Sequence, residues 1–311
     1  MSTPTAERRR RRATRTSRGW ILVFCTPAFA LYTVFVVAPL VTAFVYGLFT
    51  WNGTQPSGFV GVDNYREILT RYPVNEQIAT ALWHNVVFFL GTMLIQNTIG
   101  LGLALLLFRN PWGKRLFQTL FSMPFLISPL IVGYLWSLLL SPTFGPINAI
   151  LEGVGLESWA RPWLGEPGTA LPVLVLVNAW QWVGGPVLIF GAALGGIPRE
   201  LEEAASLDGA SAARTFWSVR LPLLMPAVGV ITVLTFIGCF NIFDLPYALG
   251  GSGGGPAGSM DVLGLLFYRT AFEGGTNAIG ESSALAVLIF VLIFGIAIGL
   301  ERVLRRKEAD R

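Results

Sequence analysis

Few residues in this sequence have the types and spacing that catalysis requires. His84 is the only histidine, so a zinc site that needs two histidines does not exist. Cys25 and Cys239 both lie in apolar runs, where a thiol is usually a small buried hydrophobic group, and they give no disulfide framework. The glycine-rich stretch at 250–258 lacks the Lys-Ser/Thr pair of a phosphate-binding loop. The sequence therefore predicts no catalytic residue, no metal and no cofactor.

Polar and aromatic residues inside two apolar runs are better candidates for chemistry, in this case the binding of a solute. One group is Asn178, Trp180, Gln181 and Trp182, and the other, spaced i, i+3, is Asn241 and Asp244. In the first group Asn178, Gln181 and Trp182 fall on one helical face. Amide groups can hydrogen-bond the hydroxyls of a sugar, and aromatic rings can stack on its C–H faces. The alternative is that the amides bond only neighbouring helices and that the tryptophans anchor membrane interfaces.

These candidates must be positioned by helices that cross a lipid bilayer. Of the 311 residues 53% are hydrophobic and only 13% are charged, and the mean hydropathy is +0.61. Soluble domains carry about 25% charged residues, so a soluble fold of this size would lack the polar surface to cover its core. A spanning helix needs about 20 mostly apolar residues. Six such runs are present, at 20–49, 84–108, 117–140, 170–195, 223–247 and 282–302. The sequence predicts an all-α integral membrane protein with six transmembrane helices.

The distribution of lysine and arginine predicts the orientation of the chain. If the N-terminus is cytoplasmic, the tails and inner loops hold 18 of the 22 basic residues, which is the bias that membrane insertion favours. The other four are Arg66, Arg71, Arg161 and Arg269. We therefore expect both termini in the cytoplasm. The expected organisation is a basic arm at 1–19, a six-span domain at 20–302 and a tail at 303–311.

The five arginines at 8–12 have a second interpretation, a twin-arginine export signal. The apolar region of a signal is short and ends at a small-residue cleavage site. Here the apolar run at 20–49 is longer than that, and five further runs follow it. A basic arm held near anionic lipid is the favoured interpretation.

The inner loop at 197–222 is the most informative stretch, and it predicts two short helices joined by a turn. Glu200, Glu202 and Glu203 place negative charge in the first turns of the first helix. Gly209 can supply the left-handed conformation that ends this helix, and Ser211 can cap the second. Leu221-Pro222 is expected to stop the second helix at the membrane face.

Small and acidic side chains together make this loop a candidate for docking against another protein. Ala204, Ala205, Gly209 and Ala210 are too small to form a core of their own. The alternative is an ordinary loop that packs only on its own helices.

The same loop resembles the signature of the permease subunits of bacterial binding-protein-dependent ABC importers. That signature is Glu-Ala-Ala, three residues, Gly, nine residues, then Ile-x-Leu-Pro. This chain has Glu203-Ala204-Ala205, Gly209 and Val219-Arg220-Leu221-Pro222 at that spacing, with valine in place of isoleucine. The resemblance implies that the loop docks in a cleft of a separate ATP-hydrolysing subunit. It implies a coupling role for Glu203, Ala204, Ala205, Asp208 and Gly209, with an ionic contact from Glu203.

Further stretches resemble the carbohydrate-type permeases related to maltose and glycerol-3-phosphate importers. They lie at 61–65, 144–148, 163–164, 180–181, 253–256 and 268–272. The resemblance implies a location in the bacterial cytoplasmic membrane and a carbohydrate solute, with no role for nucleic acid. It implies four kinds of partner, which are the ATP-binding subunits, a second permease, an extracytoplasmic solute-binding protein and the lipid bilayer. The stretches around Trp180 and Asn241 would line a central cavity. The glycine-rich stretch would be a flexible outer loop that touches the binding protein.

Two other classes of protein remain open on the sequence alone. A self-contained secondary transporter or channel would need no docking loop and would show inverted repeats or charged residues in mid-span, for which Asp244 is the only candidate. A membrane-bound enzyme would need clustered histidine, cysteine or carboxylate groups near one membrane face, and the sequence shows none.

Overall fold

Long apolar helices dominate the computed structural model, which describes residues 18–109 and 111–309, with side chains from residue 22 to 304. Most of the basic arm at 1–19 and the last residues of the tail therefore lie outside the described residues. Helices are the expected form, because a segment in lipid must satisfy its backbone hydrogen bonds internally. Four helices are long and apolar enough to cross a membrane: Leu22–Tyr46, Val74–Phe108, Ala212–Phe240 and Ala278–Leu304.

Two bent pairs of helices complete the set of spans. Lys114–Leu126 and Pro129–Leu139 meet at 97°, and Pro167–Trp182 and Gly184–Gly195 meet at 49°. With each bent pair counted as one span, the six predicted spans are present in order. The prediction of a helical membrane protein is confirmed, with the addition of one β-hairpin. The spans are called first to sixth below.

Shorter elements connect the spans. They are the strands Phe49–Asn52 and Gln55–Phe59, the helices Asp63–Thr70, Pro146–Gly153, Arg199–Leu207, Asp244–Gly250 and Leu263–Phe272, and the 3₁₀ turns Glu157–Trp159 and Pro256–Gly258. The last helix, Ala278–Ala309, runs on beyond the sixth span, so residues 303–309 of the predicted tail are helical.

The first span is shorter than predicted because its last residues turn into the β-hairpin. The helix ends at Tyr46 rather than near residue 49. Asn64 donates to the carbonyl oxygens of Gly47 and Phe49 at 2.9 and 2.8 Å, and Asn277 donates to Asn64 at 3.0 Å. Asn277 also accepts a hydrogen bond from the backbone N–H of Trp51 at 2.8 Å. These partners are distant in sequence, so an apolar run alone does not reveal them.

Two prolines inside the spans are each preceded by a π-helical turn. The turn Thr33–Val37 precedes Pro39, and the turn Phe216–Arg220 precedes Pro222. Because proline lacks an N–H and its ring crowds the carbonyl four residues back, a widened turn before it relieves the conflict. The prediction that Leu221-Pro222 stops a helix is therefore wrong. The helix continues from the loop through Pro222 into the fifth span.

The fifth span also ends earlier than predicted. Its helix stops at Phe240, although the apolar run continues to residue 247. Asn85 is completely buried, donates to the freed carbonyl of Cys239 at 2.8 Å, and accepts from the backbone N–H of Leu263 at 2.9 Å. The break is thus stabilised by an amide from the second span.

The main hydrophobic core lies between the second, fourth, fifth and sixth spans. Phe88, Leu174, Phe240 and Leu285 are all buried in it. The first span is different, because no part of its apolar window is buried by the rest of the chain, compared with 39% for the fifth span.

Candidate functional site

The inner loop forms a helical hairpin, defined here as residues 199–220. The helix Arg199–Leu207 is followed by a turn in which Gly209 has φ +73°. A Cβ at this position would meet no atom within 4 Å, so the backbone conformation rather than lack of space favours glycine. Ser211 accepts a hydrogen bond from the backbone N–H of Arg214 at 3.3 Å and caps the second helix. The predicted turn and cap are both confirmed.

A bidentate ion pair closes this hairpin. Nε and Nη2 of Arg220 donate to the two carboxylate oxygens of Glu202 at 2.8 and 3.0 Å. These hydrogen bonds lower the pKa of the Glu202 carboxyl below its ordinary value. The Arg220 guanidinium also lies 5.5 Å from the ring centroid of Phe108, at the end of the second span. The hairpin therefore also contacts the second span, from which it is distant in sequence.

The residues of the predicted coupling motif lie on the open side of the hairpin. Glu203, Ala204, Asp208 and Gly209 are exposed, and Ala205 is half-buried. Unlike Glu202, Glu203 forms no ion pair within the described residues. Leu207 is 89% exposed and Trp217 is 66% exposed. Leu207 follows Glu203 by about one helical turn, so the same exposed face of the helix carries an apolar side chain and a carboxylate.

A cavity of about 490 Å³ lies between the second, fourth and fifth spans and the break in the third. Its polar lining includes the amides of Gln96, Asn178 and Asn241 and the carboxylate of Asp244. Trp182, Phe125 and Phe243 contribute aromatic rings, and Trp182 meets Phe125 edge to face with centroids 5.0 Å apart. The cavity can thus offer hydrogen bonds and ring faces to the same ligand.

The residues predicted for the fourth span divide into two groups. Asn178 and Trp182 line the cavity, whereas Trp180 and Gln181 are absent from its walls. Trp180 packs edge to face on Trp136, with centroids 5.6 Å apart. Gln181 is completely buried, and its Nε2 donates to the carbonyl oxygen of Ile127 at 2.9 Å. Gln181 therefore satisfies the backbone at the break of the third span.

Asn241 and Asp244 line the cavity but do not share a helix. Asn241 follows the last residue of the fifth-span helix, and its Nδ2 donates to the carbonyl oxygen of Ile237 at 2.9 Å. Asp244 begins the short helix Asp244–Gly250. The expectation that both lie i, i+3 within one span is wrong, because the span breaks between them. The break itself brings both side chains to the cavity.

One lining residue was missed in the sequence. Gln96 lies in the π-helical turn Met93–Asn97 of the second span and is buried, with 5% of its surface exposed. Its Oε1 accepts from Nδ2 of Asn178 at 3.4 Å across the cavity wall. Polar residues within a span are costly unless they face a cavity or a partner. The adjacent Gln96 and Asn97 in a predicted span were a usable signal.

The part of the chain that forms the cavity and the hairpin matches a known protein family. The sequence profile of the family described as "Binding-protein-dependent transport system inner membrane component" matches residues 96–309, which include the hairpin and all the residues that line the cavity except Thr92. The chain belongs to this family. It is therefore a membrane permease of a transport system that works with a binding protein.

Individual relatives cover nearly the whole permease. The probable ABC transporter permease protein YurN of Bacillus subtilis is 31% identical over 280 residues, covering 89% of this chain and 92% of that protein. The multiple sugar-binding transport system permease protein MsmF of Streptococcus mutans is 30% identical over 279 residues, with coverage of 89% and 92%.

A solved structure supports the same fold. It is a bacterial ABC transporter involved in the import of the acidic polysaccharide alginate, with a TM-score of 0.75. The sequences are 22% identical, and the match covers 93% of this permease and 96% of that chain.

The glycine-rich stretch of the permease is compact. The backbone N–H of Gly255 donates to Gly250 and that of Met260 to Gly254, both at 2.8 Å. Next to it, Arg269 forms a bidentate ion pair with Asp261 at 2.8 and 2.5 Å and donates to the carbonyl of Ser252 at 2.7 Å. These bonds form a set of turns beside the helix Leu263–Phe272, while the predicted flexibility of the stretch stays a prediction.

Proposed function

We propose that this permease carries a sugar or sugar-like solute as part of an ATP-driven importer. The observation that supports this most directly is the cavity, in which Asn178 and Asn241 lie together with the ring of Trp182. Sugars need both hydrogen bonds for their hydroxyls and an apolar surface for their C–H faces. The name of the relative MsmF refers to sugar transport, which agrees with this chemistry.

We infer that ATP is hydrolysed by a separate chain, against which the hairpin docks. Glu203 is exposed and, like Glu200 and Asp208, forms no ion pair among the described residues, and Ala204 beside it allows close approach of a partner. Leu207 offers an apolar side chain to the same partner. The carboxylate of Glu202 already binds Arg220, so we assign the contact with a cation of the ATP-binding subunit to Glu203, which belongs to the Glu-Ala-Ala signature.

Two further partners complete the proposed importer. A second permease would contact the first span, whose apolar surface the rest of this chain leaves uncovered. A solute-binding protein would dock on the opposite side from the hairpin, where the β-hairpin and the compact glycine-rich turns lie. The solute would pass from it into the cavity.

The proposed orientation places both termini in the cytoplasm of a bacterium. Single cysteines at Gly153 and Gly253 should react with an impermeant thiol reagent in intact cells, whereas one at Ala212 should not. A Cβ at Gly153 or Gly253 meets nothing within 4 Å, while Gly255 is a poor site because its Cβ would lie 2.6 Å from Met260. Labelling of position 212 from outside would overturn the orientation.

Charge reversal at Glu203 tests the proposed function. The complex of this permease with its partners is purified with Glu203→Lys, and ATP-driven sugar uptake is measured in proteoliposomes. We expect the ATP-binding subunit to dissociate and uptake to be lost. Glu152→Lys makes the same charge change on the exposed helix Pro146–Gly153 and should leave both unchanged. Uptake by the Glu203→Lys variant at the wild-type rate, without ATP, would favour the secondary transporter instead.

A further inference from the structure

Within the part of the chain that the structure describes, Asp244 is the only charged residue that lines the cavity. Among the residues that the structure describes, none forms an ion pair with its carboxylate. The other polar groups of the lining are neutral amides and hydroxyls, such as Gln96, Asn178 and Thr235. The cavity therefore carries one negative charge that this chain does not balance.

A charge in this position acts on the whole cavity. A sphere with the cavity's volume of 490 Å³ is about 10 Å across, so an ionic group inside would lie within about one Debye length of Asp244 at 0.1 M salt. The walls are largely apolar, with Ile231, Leu234 and Phe243 among them, and apolar walls weaken electrostatic screening inside the cavity, while the side chain of Asp244 is itself exposed.

We propose, building on the sugar transport inferred above, that this cavity accepts uncharged saccharides and rejects anionic ones because of Asp244. The argument is chemical. An ionised carboxylate can only accept hydrogen bonds, and a sugar hydroxyl can donate one to it. A fully ionised phosphate or uronate group has only acceptor oxygens and adds repulsion between like charges. A cation beside Asp244 would offset this repulsion, and the lining residues that the structure describes include no lysine, arginine or histidine.

The fold does not decide this preference. The transporter that resembles this chain with a TM-score of 0.75 is involved in the import of an acidic polysaccharide. Chains that share one architecture can carry different cargo, because selectivity depends on the side chains of the site. In this cavity Asp244 is the side chain that discriminates between neutral and anionic solutes.

The experiment measures the electrostatic potential of the cavity directly in the assembled complex. Cys25 and Cys239 are the only cysteines, and both are first replaced by alanine. A single cysteine is then introduced at Gly185, which lines the cavity and has no atom within 4 Å of a Cβ. Its rates of reaction with a cationic and an anionic methanethiosulfonate reagent are compared, each divided by the rate with a free thiol.

Neutralising Asp244 should change the ratio of the two rates. We expect Asp244→Asn to lower the preference for the cationic reagent by about tenfold, which corresponds to about 1.4 kcal/mol. Asp244→Glu keeps the charge and should keep the ratio. Glu157→Gln removes a carboxylate from an exposed outer turn and should also keep it. An unchanged ratio in Asp244→Asn would overturn the proposal, since it would mean that a partner subunit already neutralises the carboxylate.

Protection of the same cysteine by solutes separates this proposal from the sugar function. Glucose should slow the labelling, whereas glucose 6-phosphate should do so only in the Asp244→Asn variant. Protection by glucose 6-phosphate with Asp244 intact would overturn the rejection of anions. If no sugar protects while the reagent ratio still depends on Asp244, the sugar function fails and the electrostatic role of Asp244 stands.

Discussion

The hairpin and the cavity are positioned in different ways. The hydrogen bonds of the hairpin join residues close in sequence, such as Ser211 with Arg214, and the pair Glu202–Arg220 spans only 18 positions, although Arg220 also contacts Phe108 of the second span. The cavity is assembled from the second, third, fourth and fifth spans, and Gln96 meets Asn178 across 82 positions. The hairpin is thus a local structure, and the cavity depends on how helices bend and pack.

This difference implies that a substitution in one region should not impair the role of the other. A substitution in the hairpin turn should disturb coupling and leave the cavity intact. A substitution in the cavity should disturb the solute and leave the association with the ATP-binding subunit intact. The predictions below test this separation, and the largest expected effect comes first.

Gly209→Val should have the largest effect. Gly209 has φ +73°, a conformation strongly disfavoured for a β-branched residue. The helix Arg199–Leu207 would change its direction, and we expect co-purification of the ATP-binding subunit and ATP-driven uptake both to be lost. Gly209→Asn should retain most of both, because asparagine tolerates this conformation. A valine variant that couples normally would mean that the turn is not needed for docking.

Gln181→Leu should lower the stability of the permease rather than its affinity for solute. Gln181 lies outside the cavity and binds the carbonyl of Ile127 at the 97° break of the third span. Hydrogen bonds between helices in membranes average about 0.6 kcal/mol and reach about 1.7 kcal/mol, so we expect a loss within that range. The measurement is thermal unfolding in detergent together with solute affinity. A loss of affinity at full stability would place Gln181 in the solute pathway after all.

Trp182→Ala should lower solute affinity by a few-fold. Aromatic contacts are worth about 0.5–1.5 kcal/mol beyond area burial. Trp180→Ala is the matched control, because Trp180 packs on Trp136 and is absent from the cavity lining. Equilibrium binding to the purified complex measures both variants. The distinction between the cavity and its surroundings would be wrong if Trp180→Ala weakened binding as much as Trp182→Ala.

The sequence could predict the hairpin more accurately than the cavity for a physical reason. A glycine turn and a serine cap are local, so spacing along the chain is enough to place Gly209 and Ser211. Whether an apolar run stays straight depends on distant partners, such as Asn85 at the end of the fifth span. Helical spacing alone placed Gln181 on the same face as Trp182. In the structure the helix bends by 49° after Trp182, and Gln181 donates to the carbonyl of Ile127. Gln181 and Trp182 therefore have different surroundings.

Lowering the pH should have the smallest effect, and it should be confined to the hairpin. Arg220 holds the pKa of Glu202 below its ordinary value of about 4.5. A group whose pKa is lowered by folding contributes stability above its unfolded pKa and loses it as the pH falls through the folded pKa. We therefore expect the hairpin to loosen only below about pH 4.5, and by less than about 1 kcal/mol, because the pair is close to water. Spin labels at Ser206 and Ala213, both exposed, should report greater mobility between pH 5 and pH 3. In Glu202→Gln the hairpin should be equally mobile at both pH values, and a pH dependence that persists in this variant would show that another carboxylate is responsible.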